Sequence, residues 1–390
     1  MKIRKVILSG GGTGGHIFPA LSIANEIRKR YPESEILFVG ALGRMEMEKI
    51  PAAGYKIVGL PVMGFPRKPS LKIFTFFNKL RKSAAMANKI VKDFKPEIAI
   101  GVGGYASGPL LRAAAKRKVP TLIQEQNSYA GITNKILGRK VNTICVAYDR
   151  MERYFPSKKI IFTGNPVREN LLTALQNKEE ALEYFGLNGK ERVVLIVGGS
   201  LGARSINNAV LKNLELIEKS GVQVIWQTGA IYFEQIQNEI KGTNPKNLHI
   251  HQFLSRMDLA YSAADLVISR AGAGTISELC LVGKPTILVP SPNVSEDHQT
   301  KNAMALVEKD AAVMLKDSEI NRSLFRVAFE TVKNNELCQL MTTNIKTYFS
   351  PSSRLVMSTC TRFLSTTLMG YEDASSHHCG SSRPSSTPWR

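Results

Sequence analysis

Lys5-Val6-Ile7-Leu8-Ser9-Gly10-Gly11-Gly12-Thr13-Gly14-Gly15-His16 is the stretch on which the fold turns. Its first five residues read as a buried parallel strand. A loop almost without side chains follows, and Pro19 then opens an apolar-periodic helix over Ala20 to Arg30. A strand, a glycine loop and a helix in that order make one unit of a doubly wound sheet. The loop lays backbone N–H groups against a phosphate, with the positive helix end behind it. Pro19 suits a first helical turn, where its missing N–H costs nothing. Gly10, Gly12 and Gly15 also satisfy the dinucleotide spacing, but that reading needs an acid at the end of the second strand to hold the ribose. The second strand, Ile36 to Val39, runs into Gly40-Ala41-Leu42-Gly43 without one. Nicotinamide chemistry is set aside; a diphosphate guest remains, against the alternative of a glycine turn that only permits close packing.

Outward from this unit, strand-like and helical runs alternate through the chain. Strands are expected at 5–9, 36–39, 56–60, 98–102, 121–124, 143–146 and 160–162. A second set falls at 193–197, 222–227, 248–251, 266–269, 286–289 and 312–315. The second set restarts with its own strand–glycine–helix unit from Val193 to Ser200. The expected fold class is therefore α/β, with two Rossmann-like, doubly wound parallel-sheet domains facing a cleft. The expected division is 1–164, then 165–350, with a hinge at Gly164-Asn165-Pro166-Val167-Arg168. Glycine clusters at 10–15, 101–104, 198–202 and 272–274 all follow strands, where parallel sheets bind ligands. From Pro351 the composition turns to Ser, Thr, Arg and Pro without periodicity, so 351–390 is expected to be disordered.

The chain has 390 residues, enough for two cores, and its 43% hydrophobic and 22% charged content is that of a globular protein. Its net charge of +20 calls for an anionic partner. Nucleic acid is disfavoured, since zinc-finger spacing, RNA-binding aromatic motifs and arginine tracts are missing. Five cysteines form no CxxC pair, which fits a reducing cytoplasm. Met1 leads straight into the first strand, with no room for a signal peptide, and no apolar run approaches the roughly 18 residues of a membrane span. No Asp-x-Asp motif or helical histidine pair offers a metal site, so neither metal nor other cofactor is expected. Residues 67–82 are different: Ile73, Phe74, Phe77 and Leu80 lie at helical spacing among Lys72, Lys79, Arg81 and Lys82. They read as an anchor for an anionic membrane surface, or alternatively as a core-facing helix with a solvated basic side. His16, ending the first glycine loop, is the candidate general base, since imidazole titrates near neutral pH; a loop-orienting or phosphate-binding role is the alternative.

Six motifs occur in order: Ser9 to His16, Gly101 to Pro109, Gln124-Glu125-Gln126-Asn127, Gly164 to Arg168, Gly198 to Arg204, and Ser269 to Glu278. Over about residues 1 to 350 the set resembles the bacterial undecaprenyldiphospho-muramoylpentapeptide β-N-acetylglucosaminyltransferase family, which converts lipid I to lipid II in peptidoglycan synthesis. The resemblance implies a GT-B glycosyltransferase, inverting at the anomeric carbon, peripheral on the cytoplasmic face of the plasma membrane. UDP-GlcNAc would be held mainly by the second domain and the undecaprenyl-linked acceptor by the first, with cell-wall synthesis and division proteins as further partners. It implies donor contacts from Thr13, Gly14, Gly15, Asn127, Arg168, Ser200, Leu254, Ala273, Gly274, Thr275, Ile276, Ser277, Glu278 and Gln299, and acceptor-side places for Tyr105 and Glu125. Glu278 would hold the ribose, against the alternative of an acid complementing a helix dipole. Ser200 has the alternative of a simple helix cap and Arg168 that of an ion pair. One departure stands out: His298 precedes Gln299 where the family pattern has adjacent glutamines. A UDP-GlcNAc 2-epimerase-like enzyme and an inactive cell-wall scaffold are the other readings.

Overall fold

Each strand expected from the sequence forms, and in a computed structural model of the chain they build two all-parallel sheets. The structure describes residues 3–64, 72–167, 171, 177–199, 201–243, 245–294 and 297–348. In the first part of the chain, β1 (Lys5–Ser9), α1 (Gly14–Arg30), β2 (Glu35–Ala41), α2 (Glu46–Ala52), β3 (Lys56–Leu60), α3 (Lys72–Phe94), β4 (Ile98–Gly101), α4 (Ser107–Lys116), β5 (Thr121–Glu125), α5 (Ile132–Gly138), β6 (Thr143–Val146) and β7 (Ile160–Phe162) follow one another. The second part runs α6 (Lys178–Phe185), β8 (Arg192–Val197), α7 (Arg204–Leu211), α8 (Leu214–Glu218), β9 (Val222–Gln227), α9 (Phe233–Glu239), β10 (Leu248–His251), α10 (Met257–Ala263) and β11 (Leu266–Ser269). It continues through α11 (Ala273–Val282), β12 (Thr286–Leu288), α12 (His298–Val307), β13 (Val313–Met314), α13 (Ile320–Lys333) and α14 (Asn335–Tyr348).

The sheet orders are β3-β2-β1-β4-β5-β6-β7 and β10-β9-β8-β11-β12-β13. Both reverse direction once, between β1 and β4 and between β8 and β11, and crevices for ligands open at such points. All four glycine loops follow those four strands. Burial explains the apolar runs: Val6 and Leu8 face one core and Ile7 another, and Val194 and Ile196 are likewise divided from Val193, Leu195 and Val197.

Helix boundaries depart from the expectations. Helix α1 begins at Gly14, because the extended Thr13 already turns its carbonyl to His16 N (3.1 Å) and Ile17 N (3.2 Å). Pro19 is therefore inside the helix. The bond it cannot make falls on Gly15, at the exposed helix entry. Helix α3 is continuous from Lys72 to Phe94, so the helical spacing expected within 67–82 runs on without a break into the residues that lead to β4. The expected 351–390 tail lies outside the described residues; before it, α14 packs on the second sheet unit through the buried Ile345.

Side-chain amides cross between the two units. Asn302 Oδ1 on α12 accepts from Ser128 N (2.9 Å) and Ser128 Oγ (3.0 Å), and its Nδ2 donates to Asn127 Oδ1 (3.1 Å). Asn165 Nδ2 donates to the Gln126 carbonyl (3.0 Å) and to Ser277 Oγ on α11 (2.8 Å). The ammoniums of Lys135 and Lys301, one from each unit, lie 3.8 and 3.5 Å from the Tyr129 ring centre.

Candidate active site

The first wall of the site is built from the loops after β1, β4 and β5. Glu46, buried at the start of α2, accepts from Gly12 N (2.9 Å) and Ala41 N (3.0 Å), and it packs under Gly11 so closely that no side chain fits there. Gly12 thus gives its N–H to the protein. Gly14 and Gly15, which open α1 where Thr13 supplies no side-chain cap, have N–H groups that can meet an anion. The loop after β4 lies on top. Gly103 and Gly104 have φ of +105° and +87°, and a Cβ at Gly104 would stand 2.5 Å from the Gly11 carbonyl oxygen. One at Gly103 would stand 2.7 Å from the His16 ring. His16 Nδ1 is 2.9 Å from Gln126 Oε1, in the loop after β5.

The second wall carries α11, whose N-terminus at Gly272 also lacks a side-chain cap. Helices α1 and α11 approach each other across the interface. Ala273, Gly274, Thr275 and Ile276 form the first turn of α11. Ser277 is buried and donates to the Ala273 carbonyl (2.8 Å). Glu278 lies in the second turn, half-buried, and its Oε2 accepts from Tyr261 (3.1 Å). Arg270 braces this wall by donating to the carbonyls of Val289 and Pro290 and to Ser205 and Asp317, which draws four segments together. Gln299 opens α12 and its Oε1 accepts from Ser291 N (2.8 Å), leaving the amide nitrogen as its donor. Leu254 N donates to Gln227 Oε1 (3.0 Å), and Gln227 Nε2 holds the Gly199 carbonyl (2.9 Å).

The structure thus brings Thr13, Gly14, Gly15, His16 and Asn127 to one wall and Leu254, Ala273 to Glu278 and Gln299 to the other. Tyr105 stands exposed on the loop after β4, beside Gly64. Glu125 is different from its expected acceptor-side place. It is buried, and its carboxylate accepts from Asn127 N, Asn127 Nδ2, Gly131 N and Asn134 Nδ2, so it shapes its own loop. Arg168 and Ser200 lie outside the described residues. Sequence reasoning missed Glu46, Gln126, Asn165, Arg270 and Asn302. Gln126, Asn165 and Arg270 sit inside the quoted motifs, and that was the signal available. His249 and His251 on β10 are both held below the ordinary histidine range by burial, His251 also by its neighbour, and neither belongs to this wall.

On α3, Phe74 is 75% exposed and Phe77 57%, and Leu80, Arg81 and Lys82 are exposed beside them. That overturns the core-facing alternative for these three apolar residues. Ile73 and Lys79 are half-buried, Ile73 at the helical spacing that places it beside Phe77 and Leu80, and the Lys72 side chain lies outside the described residues. Among the described residues no helix is long and apolar enough to cross a membrane.

Comparison with known proteins gives three findings. The glycosyltransferase family 28 N-terminal domain matches residues 6–146, and the C-terminal domain of the same family matches residues 193–353. The chain is 58% identical over 355 residues, 90% of its length and 94% of the relative's, to a Phocaeicola vulgatus protein. That protein is named UDP-N-acetylglucosamine–N-acetylmuramyl-(pentapeptide) pyrophosphoryl-undecaprenol N-acetylglucosamine transferase. Among solved structures it is similar to Acinetobacter baumannii MurG, with a TM-score of 0.70 and 29% identity over 90% of this chain and 98% of the other. A Neisseria meningitidis UDP-GlcNAc 2-epimerase, at 17% identity over 92% of this chain and 100% of its own, shares the fold with a TM-score of 0.62.

Proposed function

The chain belongs to glycosyltransferase family 28, and from that premise we propose that it moves GlcNAc from UDP-GlcNAc to the MurNAc 4-hydroxyl of undecaprenyl-diphospho-MurNAc-pentapeptide. The observation that carries this is the 58% identity along nine-tenths of the chain to a relative of that name. Incubation with labelled UDP-GlcNAc and a lipid I analogue tests it: label should pass to the lipid. Label recovered only as an epimerised nucleotide sugar would overturn it.

Within that activity, residues 1–164 form the acceptor unit and 165–350 the donor unit. The acceptor hydroxyl gives its proton to His16 as its oxygen attacks the anomeric carbon, and the bond from that carbon to the UDP oxygen breaks on the opposite face, inverting the centre. The departing diphosphate is met by the uncapped N-termini of α1 and α11 and by Ser200 and Arg168. The Leu254 carbonyl faces the uracil, and Gln299 and Asn127 face the sugar. Glu278 receives the ribose hydroxyls with the carboxylate that Tyr261 steadies. Glu278→Gln should therefore weaken UDP-GlcNAc binding by about 1–3 kcal/mol, because the charged acceptor is lost. Unchanged affinity in calorimetry would remove the ribose role.

The lipid acceptor brings the protein to the cytoplasmic face of the membrane. Phe74, Phe77 and Leu80 enter the interface while Arg81 and Lys82 meet anionic headgroups. A Phe74→Ser/Phe77→Ser variant should stop sedimenting with anionic liposomes and keep its melting temperature, since both rings are already exposed. Sedimentation equal to that of the parent protein would place the membrane contact elsewhere.

A further inference from the structure

Gln126 follows β5 and is almost fully buried, 1% exposed. Its amide has one orientation. Nε2 donates to the Gln124 carbonyl at 2.8 Å, and so Oε1 is the atom that meets His16 Nδ1 at 2.9 Å. A carbonyl oxygen only accepts, so the proton of this bond sits on Nδ1. In a neutral ring Nε2 then carries the lone pair, on the side away from the buried amide. Neutral histidine in water favours the opposite tautomer, with the proton on Nε2, which cannot take up another. The amide therefore selects the form whose basic lone pair is on Nε2, the nitrogen turned away from the buried amide.

We propose that Gln126 is a positioning residue that holds His16 as the Nδ1–H tautomer and presents Nε2 to the acceptor hydroxyl. The proposal rests on the reading of His16 as the base. In the step, the hydroxyl proton moves to Nε2, the ring becomes imidazolium, and the Gln126 oxygen accepts from the charged ring as it did from the neutral one. The amide is neutral, so it fixes tautomer and direction without adding a charge beside the ring. Its place is also referred to the donor side. The Gln126 carbonyl accepts from Asn165, whose same nitrogen donates to Ser277 on α11. The base is thereby registered against the helix that presents the donor.

The test uses the full-length protein with 15N-labelled histidine at a pH where the ring is neutral, with His16→Ala to assign its signals. Nδ1 of His16 should give a pyrrole-type shift and Nε2 a pyridine-type shift. In Gln126→Leu, which keeps the bulk but removes the acceptor, the pattern should move toward the Nε2–H form. The turnover number should then fall about 10- to 100-fold, the scale of lost outer-sphere support for a working imidazole, with the KM for UDP-GlcNAc within about twofold. Gln126→Glu restores an acceptor and should keep Nδ1 protonated. A pyridine-type Nδ1 in the parent protein would overturn the proposal whatever the variants do, as would an unchanged tautomer in Gln126→Leu. A tautomer lost with turnover intact would instead retire His16 as the base and leave the tautomer assignment standing.

Discussion

Replacing His16 by alanine should lower turnover by roughly 10²–10⁴-fold while UDP-GlcNAc binding is nearly kept. The acceptor hydroxyl is a poor nucleophile until its proton has somewhere to go. The His16 ring is the titratable side chain placed at the mouth of the first glycine loop, half-exposed and backed by Gln126. Most of the proposed donor contacts belong to the other wall, on α11 and α12, so removing the ring leaves them in place. Calorimetric titration with UDP-GlcNAc and single-turnover transfer to a lipid I analogue separate the two effects. Near-normal turnover would take His16 out of the chemistry, and a parallel loss of donor affinity would assign it to the phosphates instead.

Asn302→Leu should cost about 2–4 kcal/mol of stability and loosen the coupling between the two units. The amide is fully buried and meets Ser128 twice and Asn127 and the Ala271 carbonyl once each. Leucine has similar bulk but leaves the Ser128 N–H and hydroxyl without their acceptor inside the interface. An unpaired buried donor costs about 1–3 kcal/mol. Scanning calorimetry should show a lower melting temperature and a broader or divided transition. A single, unshifted transition would mean that Lys301 and Asn165 hold the units together without it.

The inner strands were legible because each is a short apolar run covered on both faces, and Lys5–Ser9 and Val193–Val197 each run straight into a glycine loop. The glycine clusters marked the crevices for a physical reason: only there must backbone approach backbone. The start of α1 was not legible. Glycine has poor intrinsic helix propensity, and only the Thr13 carbonyl turning to His16 and Ile17 places Gly14 and Gly15 inside the helix. Nor did the pattern of 72–82 say which way its phenylalanines point, since an anchor and a core helix share one period. Glu46, Gln126 and Asn302 were hidden more deeply. Each acts through a single buried polar side chain on a partner 34, 110 or about 175 residues away, and such pairs leave no periodic trace. Glu125 is the opposite case, since only the resemblance gave it an acceptor-side place, and its four internal donors are invisible in the sequence.

The stacking of the loop after β4 on the loop after β1 bears on how the molecule tolerates genetic change. A crowded side chain is normally relieved when a neighbour rotates or is exchanged for a smaller one. Where a Cβ at Gly104 would press on the Gly11 carbonyl oxygen, no rotamer can move aside and no second-site exchange can trim the obstacle. A change at codon 104 is thus beyond rescue by any single compensating substitution at position 11. The two loops can only drift together, and resistance mutations against a ligand lodged between them would have to arise elsewhere.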